Sequence, residues 1–161
     1  MKTTVLTCVV VLLVPVIVLA QEEVSGTYHG YGAETTTFEL PDGRSLTSGT
    51  DHVFMVADDA DSPFDHGKGQ CLSEVVMSDS GEHLEAAGAC VVRAADGDTY
   101  WFWWRLTEAG TEACTISCGT WGVFNGTGVF SGVTGSGTWE TTSPYPDGSN
   151  AGTWRLMFSK E

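Results

Sequence analysis

Cys71-Leu72-Ser73-Glu74-Val75-Val76-Met77-Ser78-Asp79-Ser80-Gly81-Glu82-His83-Leu84-Glu85-Ala86-Ala87-Gly88-Ala89-Cys90 reads as one β-hairpin with a cysteine at each end. Two extended runs flank Asp79-Ser80-Gly81, a cluster of residues that turn the chain. A two-residue loop at Ser80-Gly81 would place Cys71 directly opposite Cys90. Opposed residues of an antiparallel pair hold their Cβ atoms about 4.5–5.5 Å apart, close enough to bridge. Simple alternation makes them a hydrogen-bonded pair, the wider type, so a bulge between turn and bridge is expected. Cys114 and Cys118 then pair with each other, with two other connectivities open at this level. Four thiolates could instead close a zinc site, but no Cys-x2-Cys knuckle is present.

The same rhythm runs along the rest of the chain. Pro41-Asp42-Gly43, Asp96-Gly97-Asp98, Asn125-Gly126 and Pro146-Asp147-Gly148 punctuate a sequence with 20 glycines and abundant threonine. No window sustains a 3.6-residue apolar period, so helix is expected to be minor. The strand candidates are Val24–Tyr31, Glu34–Leu40, Ser45–Ala57, Cys71–Ser78, Glu82–Arg93, Thr99–Glu108, Ala113–Trp121, Val129–Val133, Gly137–Thr142 and Gly152–Ser159. Short strands between regular turns describe a sandwich or barrel. The expected fold is all-β, a single antiparallel up-and-down barrel of about eight strands, the number that just encloses side chains or one small ligand. Asp58 to Gly69 is the one long polar connection and is expected to lie over a barrel mouth.

Two aromatic patterns stand out. Gly-Thr-aromatic occurs at Gly26-Thr27-Tyr28, Gly119-Thr120-Trp121, Gly137-Thr138-Trp139 and Gly152-Thr153-Trp154. Glycine permits a bend, threonine favours extended backbone, and the aromatic plugs a barrel interior. The run Tyr100-Trp101-Phe102-Trp103-Trp104-Arg105 alternates Trp101, Trp103 and Arg105 on one face with Tyr100, Phe102 and Trp104 on the other. Both faces are aromatic, so one should line the interior and the other should meet a second subunit or a covering segment. Arg105 is expected to pair with Glu74 or Glu140.

Composition bounds the setting. Lys2, an apolar run over Val5–Leu19 and a small residue at Ala20 have the three-part layout of a secretory signal peptide, so 1–20 is expected to be removed and 21–161 to form the barrel domain. An even cysteine count behind such a leader fits a secreted or periplasmic protein. The 21 acidic residues outnumber seven basic ones, for a net charge of −14. That surface repels nucleic-acid phosphate and anionic lipid, so neither nucleic acid nor membrane is expected as a partner.

Catalytic signatures are sparse. Asp58-Asp59-Ala60-Asp61-Ser62-Pro63-Phe64-Asp65-His66 is rich in oxygen ligands but lacks the glycine and closing glutamate of a calcium loop. His29, His52, His66 and His83 show no metal-binding spacing, so neither metal nor cofactor is expected. There is no nucleophile elbow, and Gly126-Thr127-Gly128 lacks the context of a phosphate loop. Asn125-Gly126-Thr127 matches the glycosylation pattern and is read here as a turn.

Phe124-Asn125-Gly126-Thr127-Gly128-Val129-Phe130-Ser131-Gly132-Val133-Thr134-Gly135-Ser136-Gly137-Thr138 resembles the closing segment of allene oxide cyclase barrel-like families, in which Gly-Thr/Ser-Gly-x-Phe/Tyr-x-Gly-x-x-Gly recurs. Dirigent proteins carry a related run. Gly88-Ala89-Cys90 and Asp96-Gly97-Asp98 are similar to features of small secreted bacterial members. Asn125 stands where these motifs usually carry glycine, and no catalytic residue of the cyclases or dirigents maps onto a matching position. The resemblance implies an eight-stranded barrel, often trimeric, whose apolar cavity steers cyclisation or radical coupling of a lipid or phenolic molecule. The aromatic residues point to a small, largely apolar ligand held by Tyr28, Trp101, Trp103, Trp139 and Trp154, and the resemblance implies that a phenolic one would also fit. Arg105 would stabilise developing negative charge and Glu74 would handle a proton. A dimer or trimer is expected, with a non-catalytic binding module of the avidin or lipocalin kind as the alternative.

Overall fold

Eight strands follow one another as hairpins in the computed structural model, which describes residues 21–145 and 149–161. They are β1 (Glu22–Glu39), β2 (Ser45–Ala57), β3 (Gly67–Met77), β4 (His83–Arg93), β5 (Thr99–Ala109), β6 (Ser117–Gly126), β7 (Val133–Pro144) and β8 (Asn150–Lys160). Each pairs antiparallel with the next, and β8 returns to β1, so the sheet closes into a barrel without an edge. The expected leader, 1–20, and the turn at Pro146-Asp147-Gly148 lie outside the described residues.

Ten strand candidates resolve into eight for identifiable reasons. Val24–Tyr31 and Glu34–Leu40 merge into β1, with a register shift between Gly32 and Thr35. Val129–Val133 is not a strand. Gly128 and Gly132 adopt left-handed backbone (φ +52° and +75°), and a short 3-10 turn, Gly128–Phe130, forms between them. The Asp98 carboxylate accepts the Val129 N–H at 2.8 Å and pins that turn. The strand expected from Ala113 instead begins at Ser117, after a connection clipped by the Cys114–Cys118 disulfide.

The Cys71–Cys90 bridge is present with its Cα atoms 4.0 Å apart, and the two residues oppose each other in the β3–β4 ladder. Its turn differs from the expected two-residue loop. Ser78 pairs with Glu82 around Asp79-Ser80-Gly81, and Gly81 takes φ +82°. The added loop residue is offset by the register shift at Val76/Met77, which restores the opposition of the cysteines.

The Gly-Thr-aromatic motifs explain how the wall accommodates so many rings. In the β1–β8 ladder Gly26 opposes Trp154 and Tyr28 opposes Gly152. In the β6–β7 ladder Gly119 opposes Trp139 and Trp121 opposes Gly137. The motifs thus meet as two reciprocal pairs, with Gly26, Gly119 and Gly152 facing the partner's ring and Gly137 lying against the Arg155 backbone, while Thr27–Thr153 and Thr120–Thr138 pair on the outer wall. A Cβ on Gly26 would lie 2.7 Å from the Trp154 ring, and one on Gly119 or Gly152 would lie 2.5 Å from Trp139 or Tyr28. Glycine is needed there for close approach, not for a bend.

One end of the barrel is filled. Phe64, on the β2–β3 connection, packs edge-on against Tyr100, Phe130 and Phe158 at centroid distances of 5.1, 5.1 and 5.3 Å. Leu156 and Val92, both fully buried, complete this plug, with Phe158 half-buried at its edge. The acidic connection therefore seals an end of the barrel by way of Phe64. It is held down by the Asp65 carboxylate, which accepts the Ala57 N–H at 3.0 Å.

Candidate ligand-binding cavity

Above the plug, toward the β1–β2, β3–β4, β5–β6 and β7–β8 connections, the interior stays open as a cavity of about 290 Å³. That volume lies near the lower limit for small-molecule sites. Its walls are aromatic: Tyr28, Phe102, Trp104, Trp121, Trp139 and Trp154. The rings form an edge-to-face series, with Phe102–Trp121 at 5.3 Å, Trp121–Trp154 at 5.6 Å and Trp104–Trp139 at 6.0 Å. Such pairs contribute about 0.5–1.5 kcal/mol each beyond burial, so the walls are rigid as well as apolar.

The polar groups of the cavity fall into separate sets. Trp121, Trp139 and Trp154 donate their indole N–H groups to the carbonyls of Arg155, Thr120 and Thr27 at 2.8, 3.2 and 2.9 Å. The Trp104 N–H has no acceptor among the described residues. The Tyr28 hydroxyl meets the Thr141 hydroxyl at 2.7 Å, and Ser117 donates to the same Thr141 oxygen at 2.8 Å. Burial pushes the Tyr28 phenol above the usual tyrosine range; the Thr141 hydrogen bond partly opposes this, and nearby Glu140 adds to it. Asp51 turns inward on β2 and accepts a hydrogen bond from the Ser73 hydroxyl through Oδ2. No group of three or more potential metal ligands occurs among the described residues.

The residues singled out in the sequence divide between the two faces of the wall. Tyr28, Trp139 and Trp154 line the cavity. Trp101, Trp103 and Arg105 do not: they stand on the outer face of β5, with Trp103 lying over Gly122. The reason is register. The Ala95-Asp96-Gly97 loop makes Ala94 face Asp98, and the ladder continues to set inward Cys90 opposite Phe102. Opposed residues share a face, so Phe102, Tyr100 and Trp104 turn in and the other three turn out. Glu74 is also outward and exposed, and no ion pair joins Arg105 to Glu74 or Glu140 among the described residues. Among the described residues the carboxylate on the cavity lining is Asp51, which no sequence motif marks. Its position opposite Cys71 is the signal that would have found it.

No family model matches the chain, and no curated protein matches it. Solved structures do. The pterocarpan synthase dirigent protein GePTS1 superposes with a TM-score of 0.56 at 14% identity, covering 92% of this chain and 89% of its own. The pterocarpan synthase dirigent protein PsPTS1 gives 0.53 at 15% identity, covering 88% and 96%. The shared element is the closed eight-stranded antiparallel wall, so this chain has the fold of a dirigent-like barrel.

Proposed function

We propose that this protein is a secreted barrel that binds a small, largely apolar aromatic or phenolic molecule in the cavity between Tyr28, Trp104 and Trp139. The observation that carries this reading is the contrast between the two ends of one barrel. Phe64, Tyr100 and Phe130 fill one end completely, whereas equally aromatic walls at the other leave about 290 Å³ open. A core built only for stability would be packed at both ends. The free Trp104 N–H and the Tyr28–Thr141 pair supply the few oriented polar groups that such sites use. Two disulfides support an oxidising compartment.

Likeness to dirigent proteins favours a second layer to this reading: the barrel holds a reactive aromatic molecule in one conformer while a new bond forms, a contribution of proximity and orientation. Arg105 and Glu74 have no part in it, because neither faces the cavity. The expected homo-oligomer is also part of the proposal. Two outward rows, Gln70–Val91–Trp101–Asn125 and Leu72–Ala89–Trp103–Gly122, carry no charge in a chain of net charge −14. Copies that repel elsewhere can meet there at least cost.

Native mass spectrometry after incubation with one- and two-ring phenols tests the binding claim. One ligand per chain is expected, with no adduct on a Val75→Trp variant that fills the mouth. Absence of any adduct across the panel would refute it. Phenol coupling under a separate one-electron oxidant tests the second layer: a handed product supports it, and a racemic one limits the protein to binding.

A further inference from the structure

We infer that the ligand of this cavity carries a positive charge, as a protonated or quaternary amine next to an aromatic or apolar body. The inference rests on the reading of the cavity as a ligand site and names the chemistry that site selects. Three observations converge on it. Asp51 lines the cavity and is half-buried; its Oδ2 accepts the Ser73 hydroxyl, and its carboxylate has no cationic partner among the described residues. Among the described residues no lysine or arginine lines the cavity to neutralise that carboxylate, and the other ionisable groups on the lining are Tyr28, Tyr31, His52 and His83. Finally, Trp121, Trp139 and Trp154 have their N–H groups tied to strand carbonyls, so they present ring surface to a ligand and no donor.

Each observation disfavours an anion and favours a cation. A carboxylate on an aromatic wall is best compensated by a ligand that brings a counter-charge to it. Ring faces attract an ammonium group through their quadrupoles, most strongly for tryptophan and where water is excluded. A neutral phenol would satisfy Asp51 by one hydrogen bond and leave its charge uncompensated. An organic cation satisfies both wall and carboxylate. The chain's net charge of −14 draws such a ligand toward the mouth.

Matched probes separate this inference from the reading beneath it. Tryptophan emission of the full barrel is titrated with benzyltrimethylammonium, with its uncharged carbon isostere neopentylbenzene, and with phenylacetate. The cation is expected to bind at least tenfold more tightly than the isostere, and phenylacetate not at all. Asp51→Asn, which keeps shape and the Ser73 contact, should remove the preference and bring the cation's affinity to that of the isostere. Equal affinity of cation and isostere for the wild-type protein overturns the inference and leaves the binding site standing. A preference that survives in Asp51→Asn overturns the role of Asp51. Should none of the probes or phenols bind, the ligand-site reading itself falls. The wild-type comparison decides the matter even if the variant folds poorly.

Discussion

Replacing Gly26 by alanine tests the interlock that shapes the cavity. The new Cβ would sit 2.0 Å from the Val56 carbonyl oxygen, 2.7 Å from Trp154 Cζ2 and 2.9 Å from the Ala57 Cα. Two of these neighbours are β2 backbone, so relief requires moving a strand within a closed barrel. Overpacking of this kind costs about 1–3 kcal/mol, and the rigid neighbours put Gly26→Ala at the upper end. Alanine also lowers the entropy of the unfolded chain, a gain of roughly 0.4–1 kcal/mol that would mask part of the loss. Gly32→Ala, on the same strand, removes that ambiguity. Nothing lies within 4 Å of its Cβ, and its φ is not positive. The difference between the two variants isolates the steric cost, expected at about 3 kcal/mol, or roughly 10 °C in Tm for a domain of this size. Urea unfolding with disulfides intact, followed by tryptophan emission, measures it. Stabilities within about 0.5 kcal/mol of each other would refute the interlock.

Further outcomes follow from the same geometry. Phe64→Ala should lose about 3–5 kcal/mol by emptying the plug, seen as a lower urea midpoint; a loss below about 1 kcal/mol would mean that the closed end is not packed around it. Removing Cys71–Cys90, which spans 19 residues, should cost about 3 kcal/mol, against about 2 kcal/mol for Cys114–Cys118, which spans 4. Burial raises the Tyr28 and Tyr100 phenols above their ordinary range. Their contribution is therefore intact below the unfolded value of about 10 and is lost as pH rises through the folded values. Chemical denaturation between pH 8 and 11 should show stability falling, and the double variant Tyr28→Phe/Tyr100→Phe should flatten that fall. Trp103→Glu should shift sedimentation toward the monomer if the uncharged outer rows hold copies together.

The fold was legible because turn chemistry and alternation act locally. Asp79-Ser80-Gly81 and the cysteine spacing set one hairpin, and repeated turns set the rest, so a barrel with a Cys71–Cys90 clasp followed from the sequence. Glycines were the weak point. Gly128 and Gly132 break what reads as the strand Val129–Val133, because left-handed backbone is invisible in an apolar pattern. The site was half legible. Alternation correctly separated Trp101, Trp103 and Arg105 from Phe102 and Trp104, but it cannot say which set faces in. That choice is made by the neighbouring ladder, where Cys90 opposes Phe102. Asp51 stayed hidden because one acid among 21 carries no pattern until β2 is set against Cys71.

Whether the open half of this barrel is a ligand site is decided by titrating tryptophan emission of the wild-type protein and Val75→Trp in parallel with one small aromatic probe. A saturable change at one probe per chain is expected in the wild-type protein, and none in a Val75→Trp barrel of unchanged fold. Equal binding by both proteins would place the ligand outside the cavity.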